Sequence, residues 1–357
     1  MKKIAIKIGS NVLTRPDGML DIDRMSDLVS QIAGLRKSGV DVILISSGAV
    51  ASGRNEILPQ KKLDAVSSRQ LYSAVGQAKL INRYFELFQQ HRLVCGQILT
   101  SKENFSSRTH YLNQKNCMEV MLEHGVIPIV NENDTVSVTE LMFTDNDELS
   151  GLVATMMNMD ALIILSNVDG VYDGNPALAE SKVITEISGK VNAETFVQSG
   201  KSSFGRGGML TKLRIARKVA DEGVLVIIAN GTKANILTDL VSGQPVICTC
   251  FSPSEKTVSS VKKWVAHSEG FTKGEIYIDK GAETVLFGIK ATSLLFVGIT
   301  QIKGTFKKND IVKIMNESGK QLGVGRAEYD YEKAITLVGK HNTYPMIHYD
   351  YLYLETV

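Results

Sequence analysis

The sequence predicts an α/β fold: a three-layer sandwich about a mostly parallel sheet, followed by a small β-rich, barrel-like domain. Three observations carry this prediction. Strand and helix signals alternate through roughly the first 250 residues, the pattern of a parallel sheet covered by helices. The strand segments are nearly all apolar, as strands buried on both faces are. After about Phe251 the pattern changes to short runs split by turn residues.

Lys3–Ile8 is a short apolar strand, and Met1-Lys2-Lys3 opens that strand rather than a signal peptide, because Lys7 and Gly9 interrupt the run. Met25, Leu28, Val29, Ile32 and Leu35 recur at helical spacing and stop at Gly39. Residues 40–45 form a second strand, 68–89 a helix, 93–99 a strand, and a further helix ends near Gly125. Residues 126–130 form the next strand and 149–157 a helix; 161–165 and 224–229 are two more strands, the latter preceded by a helix over 211–222. The first domain is thus 1–258. Residues 259–273 are a polar connection carrying the only tryptophan, Trp264, with room for one short strand. In the second domain, 274–357, the runs 275–278, 296–299, 311–315, 322–327, 334–338 and 351–354 read as short strands. Glu317-Ser318-Gly319-Lys320 reads as a hairpin turn.

Composition narrows the function. At 357 residues and 43% hydrophobic content the chain is an ordinary globular protein of about two domains. A formal charge of +2 gives no reason to expect a polyanionic partner, and no apolar stretch reaches the roughly 18 residues that span a bilayer. Cys95, Cys117, Cys248 and Cys250 lack metal-type spacing and read as buried, reduced small hydrophobes in a reducing cytoplasm.

The chemistry concentrates in a few segments. Asn131-Glu132-Asn133-Asp134 follows a buried strand, and Thr144-Asp145-Asn146-Asp147 opens a helix, where open α/β sheets bind ligands. Carboxylates there suit an ammonium, and carboxamides with backbone N–H groups suit a carboxylate, so a small zwitterion fits. Helix caps and solvated charges are the plainer reading, but three aspartates (Asp134, Asp145 and Asp147) and three asparagines share one short window. A two-carboxylate hydrolase is the sharper rival, yet it has no need of paired lysines or a glycine-rich loop. Lys7 breaks an apolar strand just before Gly9-Ser10; it is either an edge-strand lysine with its head in water or a ligand-site cation. Ser46-Ser47-Gly48-Ala49 is a second small-residue elbow, suited to an anion or to a simple capped turn. Gly205-Arg206-Gly207-Gly208-Met209-Leu210-Thr211-Lys212 is not a Walker A loop; it suits a phosphate cover, with Lys212 reaching the transferred group. Ser166-Asn167-Val168-Asp169-Gly170-Val171-Tyr172, off a strand end, suits a base and ribose or is an ordinary Asp-Gly turn.

In this order, together with Ala74-Val75-Gly76-Gln77, these segments resemble the amino-acid kinase family. The Asn-Glu-Asn-Asp cluster paired with Asp-Asn-Asp resembles its glutamate-phosphorylating branch. The tail is similar to a PUA domain through Gly274-Glu275-Ile276, Asp279-x-Gly281-Ala282, Ser293-Leu294-Leu295 and Gly304-x-Phe306-x-x-x-Asp310. The resemblance implies ATP-dependent phosphorylation of the glutamate γ-carboxylate, giving glutamyl 5-phosphate for proline synthesis. It implies Lys7, Lys212 and Asp147 as catalytic residues and Ser47, Asn131, Asp134 and Asn146 as glutamate ligands. ATP would meet Lys7, Gly9, Ser166, Asn167, Arg206, Gly207, Gly208, Met209, Leu210, Thr211 and Lys212, with Mg²⁺ carried on its phosphates and no protein metal ligand assigned. A homo-oligomer, dimer or tetramer, and inhibition by proline are implied likewise.

The chain departs from the family pattern at Asn167, where relatives carry Asp. An amide cannot balance two lysines, which leaves Asp145 or Asp147 to organise them. Arg206 and Thr144 also replace smaller residues. Two alternatives stand beside this reading: another carboxylate or phosphate kinase of the same family, or an RNA-binding protein acting through its tail. Against the second, basic and acidic residues balance from 274 to 357.

Overall fold

The computed structural model describes residues 1–54, 56–105, 108–136, 146–176, 178, 180–187, 208–254, 264–265, 272–288 and 292–354. The chain forms two compact units, one of Met1–Asn104 and Leu112–Thr257, and a second of Phe105–Tyr111 and Val258–Val357. Among the described residues no helix is long and apolar enough to cross a membrane.

The first unit is built on an eight-stranded sheet. Its strands are β1 (Lys3–Ile8), β2 (Asp41–Ser46), β3 (Val94–Thr100), β4 (Val126–Glu132), β5 (Ala161–Ser166), β6 (Glu186–Ile187), β7 (Leu225–Asn230) and β8 (Cys248–Phe251), in the order β3-β4-β2-β1-β5-β7-β8-β6. All neighbours are parallel except β7 and β8. Successive residues of β1, β2 and β5 are buried although they point to opposite faces, so both faces of the sheet are covered.

The helices of this unit are α1 (Ser10–Leu13), α2 (Ile22–Lys37), α3 (Ala49–Arg54), α4 (Ala65–Gln90), α5 (Arg108–Glu123, whose first turn clusters with the second unit), α6 (Asn146–Met156), α7 (Met209–Asp221) and α8 (Ile236–Ser242). Met25, Leu28, Val29 and Ile32 of α2 bury the predicted stripe against Ile4, Ile6 and Leu44 in one core. From β1 the chain builds outward to β2, β3 and β4 on one side, then crosses to β5 and β7 on the other. That reversal opens a crevice at the carboxyl ends of β1, β2 and β5, where ligands of open α/β sheets bind.

The second unit carries a five-stranded mixed sheet, β10-β9-β11-β12-β13, formed by β9 (Gly274–Ile278), β10 (Ile299–Gly304), β11 (Ile311–Met315), β12 (Gln321–Arg326) and β13 (Leu352–Leu354), with short helices α9 (Lys280–Leu286) and α10 (Tyr331–Ile335). The hairpin turn sits where expected: Gly319 takes φ +80° between antiparallel β11 and β12. Two expected strands are different elements. Phe296–Gly298 is a 3₁₀ turn leading into β10. Residues 334–338 end α10 and then turn, closing at Gly339 (φ +74°), whose N–H donates to Phe296 O. Their β-branched side chains favour a strand, but burial of Ala334, Leu337 and Val338 against the domain core overrides that preference. Trp264 lies in a helical pair, buried, and its indole N–H donates to Phe105 O at 3.0 Å. The cysteines depart in part from expectation: all four are free, and Cys95 and Cys248 are buried, but Cys117 on α5 is exposed.

Candidate active site

Lys7 stands on β1, between β2 and β5 in the interior of the sheet, so the edge-strand reading is excluded. Its side chain is 6% exposed, and a buried ammonium requires a partner. That partner is Asp147, the second residue of α6, whose Oδ1 lies 2.5 Å from Lys7 Nζ. Asp147 Oδ2 lies 2.9 Å from Lys212 Nζ, on the first turn of α7. Three residues 140 and 65 positions apart in sequence thus form one ammonium–carboxylate–ammonium array at the sheet's carboxyl edge. Asp147 has no exposed surface. Burial alone would raise its carboxyl, but Lys7 and then Lys212 hold it below the usual carboxylate range.

Packing explains why α7 delivers Lys212 here. A Cβ on Gly151 of α6 would lie 2.8 Å from Val219 Cγ2 and 3.0 Å from Ile215 Cγ2, so only glycine lets the two helices approach this closely. Gly208 caps α7 without a side-chain hydrogen bond, and the N–H groups of Thr211 and Lys212 return to Gly208 O. Met209 and Thr211 are half-buried and Leu210 is exposed at this helix start. Arg206, Gly207 and Asp145 lie outside the described residues.

The carboxamides form a second group beside the array. Asn146 Nδ2 lies 2.9 Å from Ser47 Oγ, 3.0 Å from Asn131 Oδ1 and 3.3 Å from Ser46 O. Asn131 Nδ2 in turn donates to Gln77 Oε1 at 2.8 Å. Two strand ends and two helices therefore meet through Ser47, Asn131, Asn146 and Gln77. Gln77 reaches in because α4 packs its backbone against α3: a Cβ on Gly76 would lie 1.9 Å from Ala49 O.

Asp134 is engaged from α4 as well. Arg69 Nε lies 2.6 Å from Asp134 Oδ1, and Arg69 Nη2 lies 2.7 Å from Glu132 Oε2. Burial pushes the Asp134 carboxyl up, with Arg69 opposing. Nothing in the sequence singled out Arg69: it is one cation on an amphipathic helix, 63 residues before Glu132.

On the other side of β1, Gly9 N–H donates to Leu165 O at 3.2 Å, tying the first elbow to β5. Ser166 ends β5 with its hydroxyl 3.5 Å from Asn167 Oδ1, and Asn167 is exposed. The two lysines meet at Asp147 rather than at Asn167. Asp169 accepts from Asn230 Nδ2 at 3.0 Å and pairs with Lys233 at 2.7 Å; no local signal in the sequence points to these two partners at and just beyond the end of β7. Val171 N–H donates to Thr249 Oγ1 at 2.8 Å, so β8 braces the same turn.

Among the described residues no three His, Cys, Asp or Glu side chains gather to hold a metal ion. Both oxygens of Asp147 face ammonium groups.

The profile of the amino acid kinase family matches residues 2–230, and that of the PUA domain matches residues 274–343. A glutamate 5-kinase of Bacteroides thetaiotaomicron is 65% identical over 355 residues, spanning 99% of this chain and 98% of the relative. One from Chlorobaculum tepidum is 46% identical, spanning 99% and 97%. Among solved structures, the carbamate kinase from Giardia lamblia bound to AMP-PNP matches with a TM-score of 0.51 at 19% identity. The match covers 71% of this chain and 99% of that one, a likeness of fold. The chain belongs to the amino acid kinase family, among its glutamate 5-kinases.

Proposed function

We propose that the Lys7–Asp147–Lys212 array transfers the γ-phosphoryl group of ATP to the γ-carboxylate of L-glutamate, giving ADP and L-glutamyl 5-phosphate, the first step of proline biosynthesis. The observation that carries this reading is Asp147 gripping both lysines, at 2.5 and 2.9 Å, beside the Ser47–Asn131–Asn146 carboxamide group.

The acceptor carboxylate is already ionised near neutral pH, so no general base is required. One of its oxygens forms a bond to the γ-phosphorus while the bond from that phosphorus to the β–γ bridging oxygen breaks. The electron pair leaves on ADP, and no proton moves. The obstacle is repulsion between two anions, and fixed cations relieve it. Lys7 and Lys212 stabilise the charge on the migrating group. Asp147 holds both ammonium groups at a set separation. Ser47, Asn131, Asn146 and Asp134 hold the two ends of the amino acid. Gly9, Ser166, Asn167 and the residues from Arg206 to Lys212 hold the nucleotide. Mg²⁺ carried on the nucleotide phosphates would neutralise part of their charge.

In this proposal residues 1–258 are the kinase domain, 259–273 a linker and 274–357 the PUA domain. A cytoplasmic location, a dimer or tetramer, and inhibition by proline rest on family resemblance; gel filtration and proline titration test the last two. The reaction is tested by incubating the chain with ATP, Mg²⁺ and hydroxylamine across several acceptor acids. Glutamyl hydroxamate and ADP are expected with L-glutamate, whereas turnover only with aspartate, acetylglutamate, carbamate or a nucleoside monophosphate reassigns the acceptor.

A further inference from the structure

We infer that Arg69 is a positioning residue for the amino-acid end of the substrate: its guanidinium fixes Glu132 and Asp134 together and offsets one of their two negative charges, so that the three side chains by themselves sum to the one negative charge that an ammonium matches. This rests on the glutamate reading given above.

Glu132 and Asp134 are adjacent carboxylates with side chains only 2% and 8% exposed. Two buried carboxylates this close cannot both stay ionised without a cation, and one would take up a proton. Arg69 supplies the cation in a form that lysine cannot reproduce. Its Nε and Nη2 both address Asp134 Oδ1, at 2.6 and 2.5 Å, while Nη2 also reaches Glu132 Oε2 at 2.7 Å. A planar fork spans both acids at fixed angles, whereas an ammonium is a point charge. The rest of α4 presents neutral groups to the same segment: Gln70 donates to Thr135 O at 3.0 Å, and Gln77 accepts from Asn131. From the neighbouring strand, Thr100 stands opposite Glu132, and Lys102 beyond it is paired with Glu148 at 3.4 Å. Asp134 is already pushed up by burial with Arg69 opposing, so loss of the guanidinium moves it further in the same direction. A purely mechanical clamp on the 131–135 segment would use the same contacts, and charge balance tells the two apart.

The experiment compares the full chain with Arg69→Lys, Arg69→Met and the double variant Arg69→Met/Glu132→Gln, each checked for folding by thermal melting. With Arg69→Met, the glutamate KM at pH 7 rises about tenfold or more, and the acid limb of kcat/KM moves up by about one pH unit, the scale of one lost close charge. The ATP KM and kcat stay within about threefold, because phosphoryl transfer lies elsewhere. Arg69→Lys falls between. The double variant, which again carries one net negative charge, recovers most of the glutamate KM and returns the acid limb. An unmoved glutamate KM in a folded Arg69→Met overturns the inference, as does a double variant no better than the single one. If Arg69→Met does not fold, the double variant against Arg69→Lys decides: a glutamate KM in the double variant at or below that of Arg69→Lys supports charge balance, and a higher one overturns it. Absence of glutamate turnover by the unaltered chain fails the parent reading instead, so the two failures are distinct.

Discussion

Gly151 and Val219 pack so closely that a methyl group on Gly151 would sit 2.8 Å from Val219 Cγ2. The first lies on α6, which carries Asp147, and the second on α7, which carries Lys212. The spacing of the two helices is therefore also the spacing of a carboxylate and the ammonium it holds at 2.9 Å. Gly151→Ala gains up to about 1 kcal/mol of helix propensity and meets Val and Ile side chains that are stiff at χ1. The helices must part. The expected result is a kcat reduced by about tenfold or more with a melting temperature shifted by only a few degrees, since a 1 Å misplacement is enough to impair transfer. A crystal structure of the variant with α7 unmoved, or unchanged kcat, would reject the coupling.

Asp147→Asn keeps the shape and removes the charge shared by the buried Lys7 and the half-buried Lys212. Loss of one preorganised electrostatic contact costs about 10²–10³ in kcat, and here two lysines are released, so a fall at or beyond the upper end is expected with a smaller change in glutamate KM. Stability carries a second signature. The folded Asp147 carboxyl titrates below its unfolded value of roughly 3.9, so its contribution is present above that pH and is lost as pH falls through the folded value. The difference in urea midpoint between the unaltered chain and Asp147→Asn should be full at pH 7 and shrink below about pH 4. A constant difference down to pH 2 would remove the ion pairs from the account.

Much of this site was legible because its signals are local. Asp145-Asn146-Asp147 announces a helix start, and Lys7 stands out by interrupting an apolar strand, whichever partner it finds. Contacts with distant partners were not legible. Arg69 looks like any surface cation of α4 until β4 and the segment after it are folded against it. Strand β8 has four residues, Cys-Thr-Cys-Phe, too few for a period to declare itself, and so its antiparallel pairing with β7 and its brace on the turn after β5 leave no signal in the sequence. In the second unit, 334–338 misled because local β preference and tertiary burial disagree there.

Asn146 is a junction whose amide N–H₂ group faces three acceptors, Ser47 Oγ, Asn131 Oδ1 and Ser46 O. Asn146→Ala removes the donor and leaves those acceptors to water or to substrate. About 1–3 kcal/mol, roughly a 10–100-fold rise in glutamate KM, is expected. Asn146→Asp should be worse than Ala, because it sets a carboxylate oxygen against three acceptors and beside Asp147. Steady-state kinetics on both variants test the order. A more active Asp variant would mean that the amide does not donate in the working enzyme.

Thr249 offers a test of the nucleotide side without touching any residue proposed to meet ATP. Its hydroxyl accepts the buried Val171 N–H at 2.8 Å, and Gly170 packs so tightly on it that a Cβ there would lie 2.5 Å from Thr249 Oγ1. Thr249→Val keeps the volume and removes the acceptor, stranding a buried backbone donor at a cost of about 1–3 kcal/mol. The turn carrying Asp169 then loses its brace while Lys7, Asp147 and Lys212 keep theirs. A several-fold higher ATP KM, an unchanged glutamate KM and a melting temperature lower by several degrees are the expected set. If both KM values rise together, β8 supports the whole sheet edge rather than the nucleotide turn, and the assignment of 166–172 to ATP loses this support.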